Sequence, residues 1–262
     1  IFGAGEERVR PWYYAWSLLC RTLRPGSDFF AADVRGAAGV KAVAAVKDGR
    51  RTVAVVNVSR EPRRVRIECP GWKRFRQATR YRYGEGLMRT EGDHTLLPDA
   101  TGLRIDFRSG AEYDMPGARV DDFTDRTKRL IMKRFLTPAL AAAVLFSACD
   151  AGQALRVEVT DRVISSDYVG NGVEWDPYDE AEAWGAEVSD ADWAKLSERL
   201  DFMRPGYVRC MINSPYRYYD AATGRYDRMR NLASLRRLLQ YCQDNGITVA
   251  YGEYNPPTWA MK

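Results

Sequence analysis

Two patterns of apolar positions follow each other in the first part of the chain. From residue 11 to residue 23, apolar side chains recur at helical spacing, and Pro25-Gly26 follows as a stop signal. Beyond it, apolar and polar residues alternate in short runs bounded by turn residues, and an Asp-Gly pair at Asp48-Gly49 is a strong hairpin signal. These patterns predict a helix and then an antiparallel β-sandwich with strands at 40–46, 52–58, 65–68, 75–83, 103–107 and 111–115.

The alternation fades after residue 118, and the polar residues 119–131 predict a linker or spacer. A basic head at Met132-Lys133-Arg134 comes next, followed by an apolar run of fourteen residues that ends in the small pair Ser147-Ala148 before Cys149. These are the features of a secretion signal, and the apolar run is too short to span a bilayer. A buried core helix has the same length and is the alternative. We favour the signal because both ends of the segment fit it.

Strands and helices alternate in the last part of the chain. Strands are predicted at 155–164, 168–175, 207–212 and 247–251, and helices at 191–202 and 232–242. Ser189 is a candidate cap for the first helix, and Asn245-Gly246 is a stop signal for the second. Buried strands connected by helices predict parallel pairing with right-handed crossovers.

Charge is distributed unevenly over the 262 residues, whose net charge is +5. Residues 1–131 hold 25 lysines and arginines against 17 acidic residues, whereas residues 132–262 hold 15 against 18. A basic half can indicate a nucleic-acid surface. The arginines of 63–66, however, alternate along a predicted strand, so we interpret them as the solvated face of a sheet and predict no nucleic-acid partner.

The cysteine and histidine content excludes several classes of site. The five cysteines form no CxxC pair, and His94 is the one histidine of the chain. Because His94 also lies in a predicted turn, we expect neither a histidine-based metal site nor a Ser-His-Asp triad, and we expect no metal and no cofactor. Acid–base chemistry in this chain would depend on carboxylates.

Aromatic, carboxylate and amide side chains cluster where the predicted parallel strands end. Such a mixture suits a sugar, because rings stack on its C–H face while polar groups bind its hydroxyls. An aromatic residue at a strand end that only packs in the core is the alternative. The predicted substrate-binding residues are Trp175, Asp176, Tyr178, Arg209, Asn213, Tyr216, Glu253, Asn255 and Trp259.

Residues 155–262 resemble the opening of the (β/α)8 barrel of retaining glycoside hydrolases, the clan that includes families 5, 30 and 39. The segments that carry this likeness are Gly170-Asn171-Gly172-Val173-Glu174-Trp175, Tyr207-Val208-Arg209 and residues 255–262. Residues 11–118 resemble the other end of such an enzyme, its last barrel helix and the β-sandwich after it, through residues 39–46, 52–59 and 81–87. The end of the apolar segment, Phe146 to Cys149, resembles the lipobox of bacterial lipoproteins.

The resemblance implies a role for Arg209, which corresponds to an arginine that hydrogen-bonds the nucleophile; an ordinary ion pair is the alternative. It also implies that the catalytic acid/base and nucleophile lie at the ends of the fourth and seventh barrel strands. The chain holds neither of these strands, so we predict no catalytic residue and an inactive, incomplete hydrolase of O-glycosyl bonds in polysaccharides. The lipobox implies lipidation of Cys149, a membrane anchor and a place in the bacterial cell envelope or periplasm, or otherwise secretion.

The resulting fold class is mixed, an antiparallel β-sandwich plus a partial (β/α)8 barrel separated by an apolar, signal-like helix. The predicted divisions are a barrel-helix remnant at 1–26, the sandwich at 27–118, a linker at 119–131, the signal-like segment at 132–149 and the barrel opening at 150–262.

Three hypotheses account for this order. The chain joins the C-terminal piece of one secreted glycoside hydrolase to the N-terminal piece of a lipoprotein relative. Alternatively, it is a genuine single chain that serves as a non-catalytic carbohydrate-binding module on the cell surface. In a third, purely structural hypothesis, strand 155–164 pairs with the sandwich and helix 11–23 lies beside the first barrel strand.

Overall fold

The computed structural model describes residues 9–36, 38–72, 75–84, 86–126, 154–176, 188–213, 219–220, 222–227, 229 and 231–254. The chain divides into two compact units. The β unit comprises Phe30–Gly84 and Pro98–Ile164, and the α/β unit comprises Ile1–Phe29, Glu85–Leu97 and Ser165–Lys262. Each unit therefore draws on sequence from both sides of the signal-like segment.

The described elements, in chain order, are α1 (Pro11–Thr22), β1 (Asp28–Arg35), β2 (Val40–Lys47), β3 (Arg50–Asn57), β4 (Arg63–Glu68), β5 (Phe75–Tyr83), β6 (Arg89–Glu91), β7 (Thr95–Leu97), β8 (Ala100–Ile105), β9 (Ala111–Met115), β10 (Arg119–Arg126), β11 (Leu155–Ser165), β12 (Gly172–Glu174), α2 (Asp190–Met203), β13 (Tyr207–Asn213), β14 (Tyr219–Asp220), β15 (Arg225–Tyr226), α3 (Leu232–Asp244) and β16 (Thr248–Tyr254).

The β unit is built on one nine-stranded sheet in the order β8-β5-β10-β3-β2-β1-β11-β4-β9. The predicted hairpin is confirmed, since β2 and β3 pair antiparallel with Lys47 opposite Arg50. Asp48 and Gly49 take the turn with φ of 50° and 73°, which is the backbone geometry of a type I′ turn. The two strands and the turn that the alternating pattern predicts are therefore present in this part of the chain.

The sheet curls, so that side chains of distant strands meet in one core. The rings of Tyr113 on β9 and Phe123 on β10 lie 5.3 Å apart, although β9 is the last strand of the sheet and β10 the third. Phe107 packs edge-on against both Phe75 and Phe123. Strand alternation supplies the aliphatic part of this core, whose fully buried members include Val53, Val55, Val65, Ile67, Met115, Val157 and Val159.

Three features of the sheet differ from the sequence expectation. Strand β1, at Asp28–Arg35, lies outside every predicted strand. Strand β10 occupies residues 119–126, part of the predicted linker, and pairs antiparallel with both β3 and β5. The sheet is also not purely antiparallel, because β11 pairs parallel with β4. The alternating pattern does not predict β10, because the buried positions of this strand include Asp121, Asp122 and Asp125. Aspartates are typical of a solvated segment.

Arginines on one side of the β unit are held in ion pairs. Arg66 pairs with Glu68 and Glu112 at 2.6 and 2.9 Å, and Arg156 pairs with Glu68 at 2.5 Å. Arg35 lies 3.7 Å from Glu158. The positive charge of these strands is thus compensated by neighbouring carboxylates at the solvated face of the sheet.

A three-stranded parallel sheet, β12-β13-β16, organises the α/β unit, and its parallel pairing confirms the sequence prediction. Val208 and Cys210 of β13 pack against Leu238 and Cys242 of α3. The predicted cap of α2 is present as a capping box, in which Ser189 and Asp192 exchange hydrogen bonds.

Helix α1 lies beside the first parallel strand. The indole N–H of Trp16 donates to the carbonyl of Gly172 at 2.9 Å, and the Tyr13 hydroxyl donates to the carbonyl of Arg199 at 2.9 Å. Together with the β4–β11 pairing, these bonds are the contacts that the third hypothesis predicts. The signal-like segment 132–149 lies outside the described residues. Among the helices that the structure describes, none is long and apolar enough to cross a membrane.

Candidate functional site

Strand register brings two of the candidate polar residues side by side. Glu174 of β12 is directly opposite Arg209 of β13, which in turn is opposite Ala250 of β16. Their neighbours one residue earlier, Val173 and Val208, pack in the core beneath α3. Because side chains alternate along a strand, Glu174 and Arg209 lie on the sheet face that α3 does not cover.

Glu174 and Arg209 form an ion pair at the carboxyl end of β12. A terminal guanidinium nitrogen, Nη2, donates to Glu174 Oε2. Both side chains remain accessible, with 49% of Glu174 and 58% of Arg209 exposed. The hydrogen bond and the charge of Glu174 raise the pKa of Arg209 further above its ordinary value. The pair offers solvent a fixed array of guanidinium donors and carboxylate acceptors.

Asp176 adds a second carboxylate to this edge. Its Oδ1 accepts a hydrogen bond from the backbone N–H of Met211 at 2.7 Å, which fixes the loop after β12 against β13. Burial raises the pKa of Asp176, the Met211 bond lowers it, the charge of Glu174 raises it and that of Arg209 lowers it, with a net increase. Asp176 therefore keeps a proton to a higher pH than an ordinary aspartate does.

Trp175 points away from this group. Its ring contacts those of Trp193 on α2 and Tyr241 on α3, with centroids 5.2 and 5.6 Å away. Arg237 extends this cluster by lying over the Trp193 ring at 4.9 Å. Trp175 has the strand parity of Val173 rather than that of Glu174, and these ring contacts are what the packing alternative predicts, while the sugar-binding role stays a prediction.

The remaining predicted binding residues are less fully described. The backbone of Asn213 pairs with that of Tyr254, and the backbone of Glu253 pairs with that of Ile212, at the ends of β13 and β16. The side chains of Asn213 and Glu253 are not among those described. Four predicted binding residues and the predicted lipidation site lie outside the described residues: Tyr178, Tyr216, Asn255, Trp259 and Cys149.

Sequence reasoning misses two members of the site. Glu174 is not among the predicted binding residues, although its parity with Asp176 along the strand is a usable signal. The Met211 amide is missed because no sequence signal identifies a backbone donor. In the part of the chain that the structure describes, no group of three or more His, Cys, Asp or Glu side chains is arranged to hold a metal ion.

The cysteines that the structure describes are buried free thiols. Burial raises the pKa of both Cys20 and Cys69 to about 12, and that of both Cys210 and Cys242 to about 11. A reactive cysteine needs the thiolate, which burial disfavours, so these four thiols are packing residues rather than nucleophiles.

No family model matches the chain, and no curated protein matches it. Solved structures similar to it include a family 30 endoxylanase from Clostridium papyrosolvens C71, with a TM-score of 0.34 and 11% identity over 41% of this chain and 25% of the endoxylanase. A family 44 xyloglucanase from Paenibacillus polymyxa gives 0.27 and 13%, over 34% and 16% of the two chains. A family 51 α-L-arabinofuranosidase from Thermotoga petrophila RKU-1 gives 0.24 and 16%, over 38% and 24%.

The chain spans a quarter or less of the length of these three glycoside hydrolases. At such scores the function of the chain has to be inferred from its own geometry.

Proposed function

We propose that this chain is an incomplete glycoside hydrolase, a β-sandwich with the opening part of a (β/α)8 barrel, that binds carbohydrate without cutting it. The observation that carries the proposal is the exposed Glu174–Arg209 ion pair, with Asp176 beside it, at the carboxyl end of parallel strands. In barrels of parallel strands and helices, ligands bind at this end of the strands.

The chemistry of these three side chains suits a polyol. A guanidinium donates paired hydrogen bonds in a fixed plane, and the carboxylates accept hydrogen bonds from hydroxyl groups. Because the pair is partly exposed, sugar hydroxyls replace water around it without forcing buried charges apart. Arg209 orients Glu174 through a hydrogen bond, and its positive charge also lowers the pKa of Asp176.

We base the absence of hydrolysis on the position of the catalytic carboxylates in the enzymes that the chain resembles. A retaining glycosidase needs a nucleophile and an acid/base about 5–5.5 Å apart across the scissile bond. Glu174 accepts a hydrogen bond from Arg209, and Asp176 accepts one from the Met211 amide, so we assign both carboxylates a role in organising the edge. The resemblance implies a catalytic pair at the ends of the fourth and seventh barrel strands, whereas the described residues form three parallel strands.

Calorimetric titration with plant polysaccharides and their oligosaccharides tests binding. We expect Arg209→Ala to weaken the affinity at least tenfold, because it removes the central donor. Arg237→Ala is the matched control, since it removes an exposed arginine from the Trp193 ring and should change affinity less than twofold. The absence of heat with every glycan, or equal effects of the two variants, would contradict the proposal.

Aryl glycoside substrates test the absence of hydrolysis separately. We expect no turnover above background by the wild-type chain. Turnover that is lost in Glu174→Gln or Asp176→Asn would show that these carboxylates act as a catalytic pair and would overturn that part of the proposal.

We propose in addition that Cys149 carries a lipid anchor and places the protein in a bacterial cell envelope. The support is the sequence of residues 132–149, with its basic head and its Ser-Ala-Cys ending. Metabolic labelling with a clickable fatty acid should mark the wild-type protein and the control Cys242→Ser but not Cys149→Ser. Label retained in Cys149→Ser would place the lipid elsewhere.

A further inference from the structure

We propose that the two parts of the chain on either side of residues 127–153 form a stable complex through their own surfaces and do not need the covalent connection between them. The N-terminal part is residues 9–126, and the C-terminal part is residues 154–254. The partner that each surface fits is therefore a polypeptide carrying the other part, whether in the same chain or in a separate one.

The strongest contact is the insertion of β11 into the sheet of the N-terminal part. This strand hydrogen-bonds to β1 on one side and to β4 on the other, so it is an interior strand rather than an edge. Its register with β4 runs from Leu155 opposite Val65 to Glu158 opposite Glu68. Without β11, the antiparallel β4–β9 pair would lose its connection to the rest of the sheet, and both β1 and β4 would become open edges.

The side chains of β11 complete the core that the N-terminal strands build. Leu155, Val157 and Val159 are buried in one cluster with Val65 and Ile67. Removing the strand would expose all five, and burial of apolar area is the main favourable term in association. Between β1 and β4, the N-terminal part therefore has room for one strand, and that strand must carry apolar side chains at alternate positions.

Polar contacts fix the register of this inserted strand. Arg156 Nη2 lies 2.5 Å from Glu68 Oε2, and Arg156 Nε donates to the same oxygen at 2.9 Å. On the other side, the Thr160 hydroxyl donates to the carbonyl of Ala31 at 3.4 Å. A slip by one residue would break these contacts and turn the apolar face of the strand outward.

A second, independent contact joins the two parts within the α/β unit. The Tyr13 hydroxyl and the Trp16 indole donate to backbone carbonyls of the C-terminal part, and Arg21 Nη1 donates to the carbonyl of Phe202 at 2.9 Å. Tyr13 and Cys20 of α1 share a buried cluster with Met203 of α2. Helix α1 therefore supplies apolar cover and hydrogen bonds to the C-terminal part.

The β6–β7 hairpin adds to this contact an ion pair between a buried arginine and a partly exposed aspartate. Asp93 Oδ2 accepts a hydrogen bond from Arg199 Nη2 at 2.7 Å, and the Arg199 side chain is fully buried. A buried arginine that lost this carboxylate would be costly, so the pair selects the correct partner. Net charges of opposite sign, +8 for residues 1–131 and −3 for residues 132–262, favour the encounter of the two parts.

Cleavage of the full chain tests the inference. A protease recognition sequence flanked by glycine and serine is inserted between residues 131 and 132, and complete cutting is verified on a denaturing gel. We expect size-exclusion chromatography with light scattering at micromolar concentration to give one species containing both pieces in equal amounts. Hydrogen exchange of the β4 amides should stay within threefold of the uncut chain.

Pieces that separate or precipitate after cutting, or β4 amides that exchange more than a hundredfold faster, would overturn the inference. Two variants of the cleavable chain identify the surface that holds the pieces together. Val157→Ala, at a fully buried position of β11, should weaken association at least tenfold. Val163→Ala makes the same change on the same strand at a position that is 46% exposed and should have less than a threefold effect. Equal effects would also contradict the inference.

Discussion

Asp121 combines deep burial with an incompletely satisfied charge. The residue is 1% exposed, and neither carboxylate oxygen has a hydrogen-bond partner among the described residues, although Arg82 Nε lies 3.5 Å from Oδ1. Burial raises the pKa of Asp121 to about 6, against the lowering effect of Arg82 and Arg80. The folded protein therefore binds a proton at this site more tightly than the unfolded chain does.

The first prediction rests on the sign of this difference. The pKa of Asp121 is higher in the folded state, so its contribution to stability is fully present below about pH 4 and is lost as the pH rises through about 6. Asp121→Asn cannot ionise and should be more stable than wild type at pH 8, by up to about 3 kcal/mol, while differing by less than about 1 kcal/mol at pH 4. Urea unfolding at the two pH values measures both differences.

Asp125 is the matched control on the same strand. It is equally buried but has a close partner, since Arg51 Nη2 lies 2.5 Å from its Oδ2. Asp125→Asn should therefore destabilise the protein at pH 8 by about 2 kcal/mol, the opposite direction. If both variants changed stability in the same direction, the assigned environment of Asp121 would be wrong.

The second residue-scale prediction separates binding from packing at the end of β12. Trp175 contacts the rings of Trp193 and Tyr241, whereas the adjacent Glu174 faces Arg209. Trp175→Leu should lower the free energy of unfolding by about 2 kcal/mol, because ring contacts are lost. The affinity for any glycan that the wild-type chain binds should change less than twofold. A large loss of affinity with unchanged stability in urea would restore the sugar-stacking role.

At the scale of elements, the capping box of α2 gives the third prediction. The Ser189 hydroxyl oxygen accepts a hydrogen bond from the Asp192 amide, and the Asp192 carboxylate accepts one from the Ser189 amide. Ser189→Ala removes one half of this exchange and should cost about 1 kcal/mol. Ser197→Ala, in the middle of the same helix, should be neutral or slightly stabilising, because alanine has the higher helix propensity. Equal losses in urea unfolding would exclude capping as the cause.

The periodicity of apolar residues predicts most of the helices and strands, but it does not predict which distant strands pair with each other. It locates strands 75–83 and 111–115 to the residue, and both helices after residue 188 to within two residues, because their periodicity is set by burial of one face. The position of β11 between β1 and β4 depends on partners about ninety and one hundred and twenty residues away, which no local pattern specifies. Likewise, strand ends identify Arg209 and Asp176, whereas the direction of Trp175 depends on the packing of two helices.

At the scale of the whole molecule, sequence order and spatial order differ. Each compact unit combines residues from before and after the signal-like segment, and the division predicted at residues 132–149, which lie outside the described residues, stays a prediction. The fusion of two gene pieces stays a prediction about origin. Because each unit contains residues from both sides of that segment, a destabilising substitution on one side should also loosen helices or strands on the other side.

Gly206 provides the last prediction, because it touches the N-terminal part directly. A Cβ at this position would lie 2.8 Å from Pro25 Cγ and 2.9 Å from the carbonyl oxygen of Val169, closer than real contacts allow. Gly206→Ala should therefore destabilise the protein by about 2 kcal/mol or more, and the amides of α1 should exchange at least tenfold faster, although α1 lies about 190 residues away in sequence.

Gly246→Ala is the control for this change. Gly246 has φ of 64°, and no atom lies within 4 Å of the position that an added Cβ would occupy, so alanine should cost only about 1 kcal/mol for its backbone conformation. Because the added methyl meets nothing, exchange in α1 should accelerate only as far as the global loss of stability requires. If Gly206→Ala left α1 exchange at the level of this control, the contact between Pro25 and the loop before β13 would not hold the two parts together.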